Sequence, residues 1–240
     1  MMHKKNNIRL LTENEEGYGI ISEINTSAGC SGNTLTEVKD NNIIKEFKDL
    51  SDNEQSVFMN CILQKCDTQN RNGRYYPREV LEREDTKYQE LIKEGRALGA
   101  SDHPDVTYIS LKRSEISHRV VKTWWEGNTI YGVLEILTTQ AYHNGLGLFN
   151  EADQIADLLR RGVKLGISSR GIGSLKNIRG KNTVQSDFEL ICYDLVSTPS
   201  TPNAFLYPES EIKLKENVNN NINNLLKNND LEKKLKDFLK

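Results

Sequence analysis

The sequence predicts a mixed α+β fold, an antiparallel β-barrel or sheet core with flanking helices. Three observations predict it. Residues 116–125 and 129–137 are two β-rich runs around Glu126-Gly127-Asn128, the pattern of a hairpin. A second hairpin is expected after residue 163, turning near Arg179-Gly180-Lys181-Asn182 and returning along residues 188–196. Only two core segments carry a helical period, so strands outnumber helices.

Taken in order, the core opens where Val57, Met59, Cys61 and Leu63 alternate with more polar neighbours, the period of a strand. A polar turn at 70–74 leads to Pro77, which suits the first turn of a helix because its missing N–H costs nothing there. That helix is expected over residues 78–94. A short loop at 98–105 contains Asp102-His103-Pro104, and the first hairpin follows. The next helix is predicted from its cap: Asn150 precedes Ala152, Ile155, Ala156 and Leu159 on one face, and Gly162 is a natural stop. The second hairpin comes after it, and Pro199 and Pro202 end regular structure.

The chain has 240 residues, with 36% hydrophobic and 28% charged side chains, polar yet able to build a core. Its 32 basic and 34 acidic groups leave a formal charge of −2, which argues against a non-specific nucleic-acid binder. No apolar run approaches the roughly 18 residues that span a bilayer, and the N-terminus lacks the apolar region of a secretory signal. A soluble protein inside the cell is therefore expected. Apolar residues concentrate in the middle of the chain. Residues 1–55 read as a polar extension, either a propeptide or a first strand, residues 56–210 as the folded domain, and 211–240 as an Asn/Lys-rich tail. Leu231, Leu235, Phe238 and Leu239 give that tail the spacing of a short amphipathic helix. The four cysteines have no zinc-site spacing, and neither a metal nor another cofactor is implied.

The most unusual stretch is Gly166-Ile167-Ser168-Ser169-Arg170-Gly171-Ile172-Gly173-Ser174. Three readings are open. A phosphate-cradling loop lacks the Walker lysine and its hydroxyl neighbour. A strand bulge would use the glycines for packing or for positive φ at a sharp turn. A nucleophile-bearing strand end would expose a serine beside backbone N–H groups able to hold an oxyanion. A serine nucleophile needs a base near neutral pH, and there are four histidines. His3 lies in the polar N-terminus, His143 reads as a loop residue, and His118 as a half-buried strand imidazole. His103 sits between Asp102 and Asp105, whose charges favour its protonated form and can orient the ring. A surface loop histidine is the other reading.

Five ordered blocks over residues 57–208 resemble a known family. They are Asn70-Arg71-Asn72-Gly73-Arg74-Tyr75-Tyr76-Pro77, Ala97-Leu98-Gly99-Ala100-Ser101-Asp102-His103-Pro104, Trp124-Trp125-Glu126-Gly127-Asn128, the glycine-rich block ending at Leu175, and Tyr193-Asp194-Leu195-Val196 running on to Ala204. Together they resemble the prohead core proteases of T-even-type tailed phages, which are similar in fold to the herpesvirus assemblins. The resemblance implies an assemblin-like fold and a serine endopeptidase of the prohead interior. It implies Ser168 as nucleophile, His103 as base and Asp194, on a strand after the nucleophile, as the third member, with Asp102 the alternative. Ser169, Arg170 and Gly171 are then the oxyanion or substrate-binding residues. Relatives often carry Glu where this chain has Ala100.

The resemblance further implies scaffold or core and capsid proteins as substrates, cleavage after Glu in a Leu/Ile-x-Glu context, self-processing and a homo-oligomer, with no nucleic-acid or membrane partner. Triplets of that form end at Glu13, Glu37, Glu46 and Glu216, the last where the core gives way to the tail; Ile92-Lys93-Glu94 falls inside a predicted helix. A pocket for Glu needs a cation, for which Arg170, Lys122 and Arg74 are candidates. The alternative is a non-catalytic capsid or tube assembly protein with the same fold.

Overall fold

The computed structural model describes residues 9–11, 15–23, 57–103 and 110–208. The expected tail helix and the triplets ending at Glu13, Glu37, Glu46 and Glu216 lie outside them. Two sheets are built from eleven strands: β1 (Leu10–Leu11), β2 (Gly17–Ser22), β3 (Val57–Lys65), β4 (Arg74–Tyr75), β5 (Leu98–Ala100), β6 (Ile116–Glu126), β7 (Thr129–Ile136), β8 (Gly166–Ile178), β9 (Lys181–Val184), β10 (Glu189–Val196) and β11 (Tyr207–Pro208). Three α-helices are described, α1 (Arg78–Lys93), α2 (Gln140–His143) and α3 (Glu151–Arg160), with a short 3₁₀ turn at Arg113–Glu115. Sequence places β1 and β2 in the polar N-terminal stretch, yet β2 pairs along β8 from Gly17↔Leu175 to Ser22↔Arg170.

The first sheet runs β1-β2-β8-β9-β4, with β10 also paired to β8; the second runs β11-β3-β7-β6-β5. The barrel expected from the strand count does not close among the described residues. Among the described residues no continuous ladder joins the two sheets, and their backbone pairing is by the isolated bridges Ser101↔Leu195 and Gly166↔Phe205. The physical reason lies in β5. It has three residues, its ladder to β6 is interrupted between Gly99 and Ala100, and Asp102 then turns the chain away at φ 58°.

Local chemistry explains most elements. The first hairpin forms as expected, its Glu126↔Thr129 pair closed by Gly127-Asn128 with Gly127 at φ 58°. Pro77 stands immediately before α1 in extended backbone, and the helix buries Val80, Leu81 and Tyr88. Asn150 caps α3 by accepting from the Asp153 N–H at 2.8 Å. The Asp153 carboxylate in turn accepts from Thr139 and the Phe149 N–H, fastening α3 to the loop before it. His143, read as a loop residue, ends the short α2, with its Nε2 2.7 Å from the Thr138 hydroxyl. The second hairpin turns at Arg179-Gly180, both at positive φ, but its return splits into β9 and β10.

A register shift between Leu190 and Cys192 breaks the simple alternation of a strand. Simple alternation puts Leu190, Cys192 and Asp194 on one face. The bulge instead opposes Leu190 to Gly171 and Cys192 to Arg170, so Leu190 shares the face of Tyr193. That face belongs to the core, where Phe188 and Tyr193 are buried and pack edge-on against Tyr76 and Tyr88. The glycines of β8 serve this packing. None of Gly166, Gly171 or Gly173 has positive φ, and a Cβ at Gly171 would strike the Phe188 ring. The block is thus an extended strand and not a sharp turn or a phosphate loop.

His118 is completely buried, not half-buried as expected from its strand position. Burial pushes its pKa down to about 4, so the ring is neutral; Nε2 donates to the Tyr193 carbonyl at 3.1 Å and Nδ1 accepts from Ser117 Oγ at 3.0 Å. The ring lies against Gly99, leaving no space for a Cβ there, and so seats β5 beside β10. An unfolded histidine titrates at about 6.5, above the folded value, so the stabilisation is full above that pH and is lost as pH falls from there through about 4. Urea unfolding between pH 7 and pH 4 should show a loss of about 3 kcal/mol from this group. His118→Gln should flatten that part of the curve.

Candidate active site

Strand pairing brings the candidate residues together. Asp194 on β10 lies directly across from Ser168 on β8, and Cys192 across from Arg170, so all four side chains share one face. Ser169 and Gly171 fall on the opposite, core-facing side with Tyr193. The Ser-Ser pair of the sequence is thereby divided: Ser168 faces the histidine and Ser169 does not.

His103 arrives on the loop after β5. Its placement depends on two backbone contacts to β10: the Ala100 N–H donates to Asp194 Oδ1 at 3.0 Å and the Asp102 N–H to the Leu195 carbonyl at 2.8 Å. Asp102, the alternative third member, therefore serves in the turn, through its positive φ and its backbone, while Asp194 meets the ring. His103 Nδ1 is 2.6 Å from Asp194 Oδ2, and Nε2 is 3.0 Å from Ser168 Oγ. A line of hydrogen bonds runs from hydroxyl to imidazole to carboxylate across residues 65 and 91 positions apart in sequence.

Asp194 is wholly buried and its oxygens are fully engaged. Oδ2 accepts from His103 Nδ1 and from Arg170 Nε at 2.8 Å. Oδ1 accepts from the Ala100 N–H, from Arg170 Nη2 at 3.3 Å and from the Cys192 thiol at 3.3 Å. Burial keeps that thiol protonated by pushing its pKa well up, so Sγ–H is the donor. Burial alone would also raise the Asp194 carboxyl, but its contacts with His103 and the Arg170 guanidinium outweigh it and hold the group down at about 2. An ionised carboxylate accepts only, which fixes the proton of neutral His103 on Nδ1 and leaves Nε2 to accept from Ser168.

Of the three cation candidates, Arg170 is turned onto Asp194, and Arg74 is buried with Glu23 at 3.2 Å. Lys122 lies half-buried on β6 of the other sheet. Sequence reading missed Glu23. It is buried at the end of β2, and its carboxylate collects donors from the Asn70–Tyr76 motif; no periodicity or spacing pointed to it, because the polar stretch around it reads as an extension.

Acid titration tests the carboxylate. With a folded value of about 2 against an unfolded value near 3.8, Asp194 stabilises the fold fully above about pH 4. That contribution, about 2–3 kcal/mol, is lost as pH falls through 2. Carboxyl-carbon NMR should place the midpoint of Asp194 well below those of the exposed aspartates.

Comparison with known proteins finds likeness in both sequence and fold. The family model described as "Prohead core protein serine protease" matches residues 10–217. The prohead core protein protease of Enterobacteria phage T4 is 30% identical over 156 residues, covering 64% of this chain and 69% of that one. The solved structure of the bacteriophage T4 capsid assembly protease superposes with a TM-score of 0.55 at 23% identity, covering 78% of this chain and all of that one, a likeness of fold. The match over most of its length makes the chain a member of the prohead core protein serine protease family.

Proposed function

We propose that the chain is a serine endopeptidase that acts inside the phage prohead, cleaving scaffold or core and capsid proteins as it matures. The observation that carries this reading is the unbroken hydrogen-bond line Ser168–His103–Asp194 in a chain of this family. Ser168 Oγ attacks the scissile carbonyl while His103 Nε2 takes its proton. The same nitrogen then protonates the leaving amine, and water releases the acyl group by the reverse transfers. Asp194 holds the ring in the tautomer that leaves Nε2 basic and stabilises the imidazolium.

The oxyanion is held by backbone N–H groups after Ser168, that of Ser169 foremost. The β2 ladder ends at Ser22↔Arg170, and beyond it only the Glu23 N–H crosses to the Ser169 carbonyl, at 3.2 Å. The peptide groups of Arg170 and Gly171 sit between β2 and β10 and serve the sheet. The Arg170 side chain is turned onto Asp194, which favours a positioning role through that carboxylate over the oxyanion or substrate-binding role that the resemblance implies.

Ser168→Ala and His103→Ala should each lower turnover of a scaffold-derived peptide by about 10³-fold or more, and Asp194→Asn by a comparable factor, with KM little changed. A folded Ser168→Ala protein that cleaves at the wild-type rate refutes the assignment.

Specificity for Glu and self-processing belong to the same reading. Leu214-Lys215-Glu216 follows the last described strand by a few residues, where cleavage would free the Asn/Lys tail. Intact mass of active protein is expected to match a chain ending at Glu216, and the Ser168→Ala protein to retain residue 240. An active protein of full mass would remove the self-processing claim. Assembly as a homo-oligomer would multiply such sites within one prohead, and light scattering of the purified protein measures it.

A further inference from the structure

A second buried carboxylate lies on the other side of the nucleophile strand. Glu23 is 1% exposed, and every oxygen it has is engaged. Oε1 accepts from Tyr76 OH at 2.6 Å and Arg74 Nη1 at 3.2 Å. Oε2 accepts from Asn70 Nδ2 at 2.6 Å, Asn72 Nδ2 at 3.0 Å and Ser200 Oγ at 2.8 Å. Its backbone is used as well: the N–H donates to the Ser169 carbonyl at 3.2 Å and the carbonyl accepts from the Ser200 N–H at 3.1 Å. Arg74 adds hydrogen bonds to the Ser22 and Leu11 carbonyls at 2.6 and 2.5 Å, so the same cradle grips β1 and β2.

The connectivity gives this cluster a reach beyond its own packing. Ser169 follows Ser168 on β8, and Ser200 lies four residues past the end of β10, which carries Asp194. One residue thus clamps the segment bearing the hydroxyl and the exit of the segment bearing the carboxylate onto the Asn70–Tyr76 loop. The hydroxyl–imidazole line tolerates little error, since a 1 Å displacement at a reacting centre can cost about 10²-fold in rate.

We propose that Glu23 is a positioning residue for Ser168, and that the N-terminal strand β2 is a working part of the protease, with Tyr76, Arg74, Asn70, Asn72 and Ser200 as the carboxylate cradle that seats it. The proposal rests on Ser168 being the nucleophile. Glu23 touches no reacting atom; it fixes the peptide beside Ser168 through the Ser169 carbonyl. It also gives a physical use to the Asn70-Arg71-Asn72-Gly73-Arg74-Tyr75-Tyr76 motif, whose donors converge on one carboxylate from a distant part of the chain.

The test uses full-length Glu23→Gln and Tyr76→Phe. Glu23→Gln keeps the shape of the side chain and removes its charge. Tyr76→Phe removes one donor to Oε1 and leaves the ring packed on Phe188. The readouts are the rate of covalent labelling by a serine-directed fluorophosphonate, kcat and KM on a peptide, and the melting temperature. At temperatures where each variant is folded, labelling and kcat should fall together, about tenfold or more for Glu23→Gln and severalfold for Tyr76→Phe, with KM within about twofold. Should Glu23→Gln fail to fold, Tyr76→Phe decides. Labelling at the wild-type rate by a folded Glu23→Gln, or by Tyr76→Phe where it alone folds, overturns the proposal, whatever the change in melting temperature. Ser168→Ala is run alongside: if it still takes up the label, the nucleophile assignment fails, a result distinct from failure of the Glu23 role.

Discussion

A carboxylate with no exposure to water survives in a protein only where donors replace its hydration. Asp194 meets that condition with five: two from Arg170, one each from His103, Cys192 and the Ala100 backbone. Each donor comes from an element that must be in place for the site to exist. The Ala100 N–H brings β5 to β10, and the Asp102 turn that follows delivers His103. Arg170 neutralises the charge from the strand that carries Ser168. The carboxylate therefore acts as the point at which the two sheets are joined, as well as the group that sets the imidazole tautomer. The open sheet arrangement follows from the same junction, because β5 is used to present a loop and cannot also continue a ladder.

Glu23 repeats this design on the opposite face of β8. Both take an arginine and several neutral donors, and both tie backbone as well as side chains. The difference is in what surrounds them. Asp194 faces the histidine, whereas Glu23 faces the core and the Asn70–Tyr76 loop. The nucleophile strand is thus held from both sides by buried charge, a costly arrangement in stability that specifies one register. A serine hydroxyl 3.0 Å from an imidazole needs that specificity. The small residues of the Gly166–Ile178 strand then have a plain purpose: Gly171 and Gly173 let Phe188 approach it closely, and that contact holds the strand against the core.

Elements governed by neighbours in sequence were legible. The Gly127-Asn128 hairpin, the Asn150 cap and the length of the Arg78–Lys93 helix all depend on contacts a few residues apart, and each appears where pattern and capping chemistry put it. Legibility failed where a distant partner changed the local rule. The bulge between Leu190 and Cys192 reverses the face of Leu190, and only the fit of β10 on β8 reveals it. His118 looked like an ordinary strand histidine because nothing nearby reports that Gly99 and Tyr193 close over it. Arg170 was readable as a residue beside the nucleophile, but its direction depends on a carboxylate 24 positions away.

By itself the sequence determined the class of fold, the positions of the hairpins and capped helices, and the small set of residues able to do acid–base chemistry, since periodicity, turn residues and side-chain type are local properties. It named Ser168, His103 and Asp194 through resemblance, without a distance among them. Tertiary structure alone decided that these three form one line, that Ser169 is turned away from it, and that an unremarked glutamate in a polar N-terminal stretch is buried behind the nucleophile. The reason is that burial and hydrogen bonding between strands depend on which segments are brought side by side, and contacts spanning 47 to 177 positions, as at Glu23, leave no periodic mark on the chain.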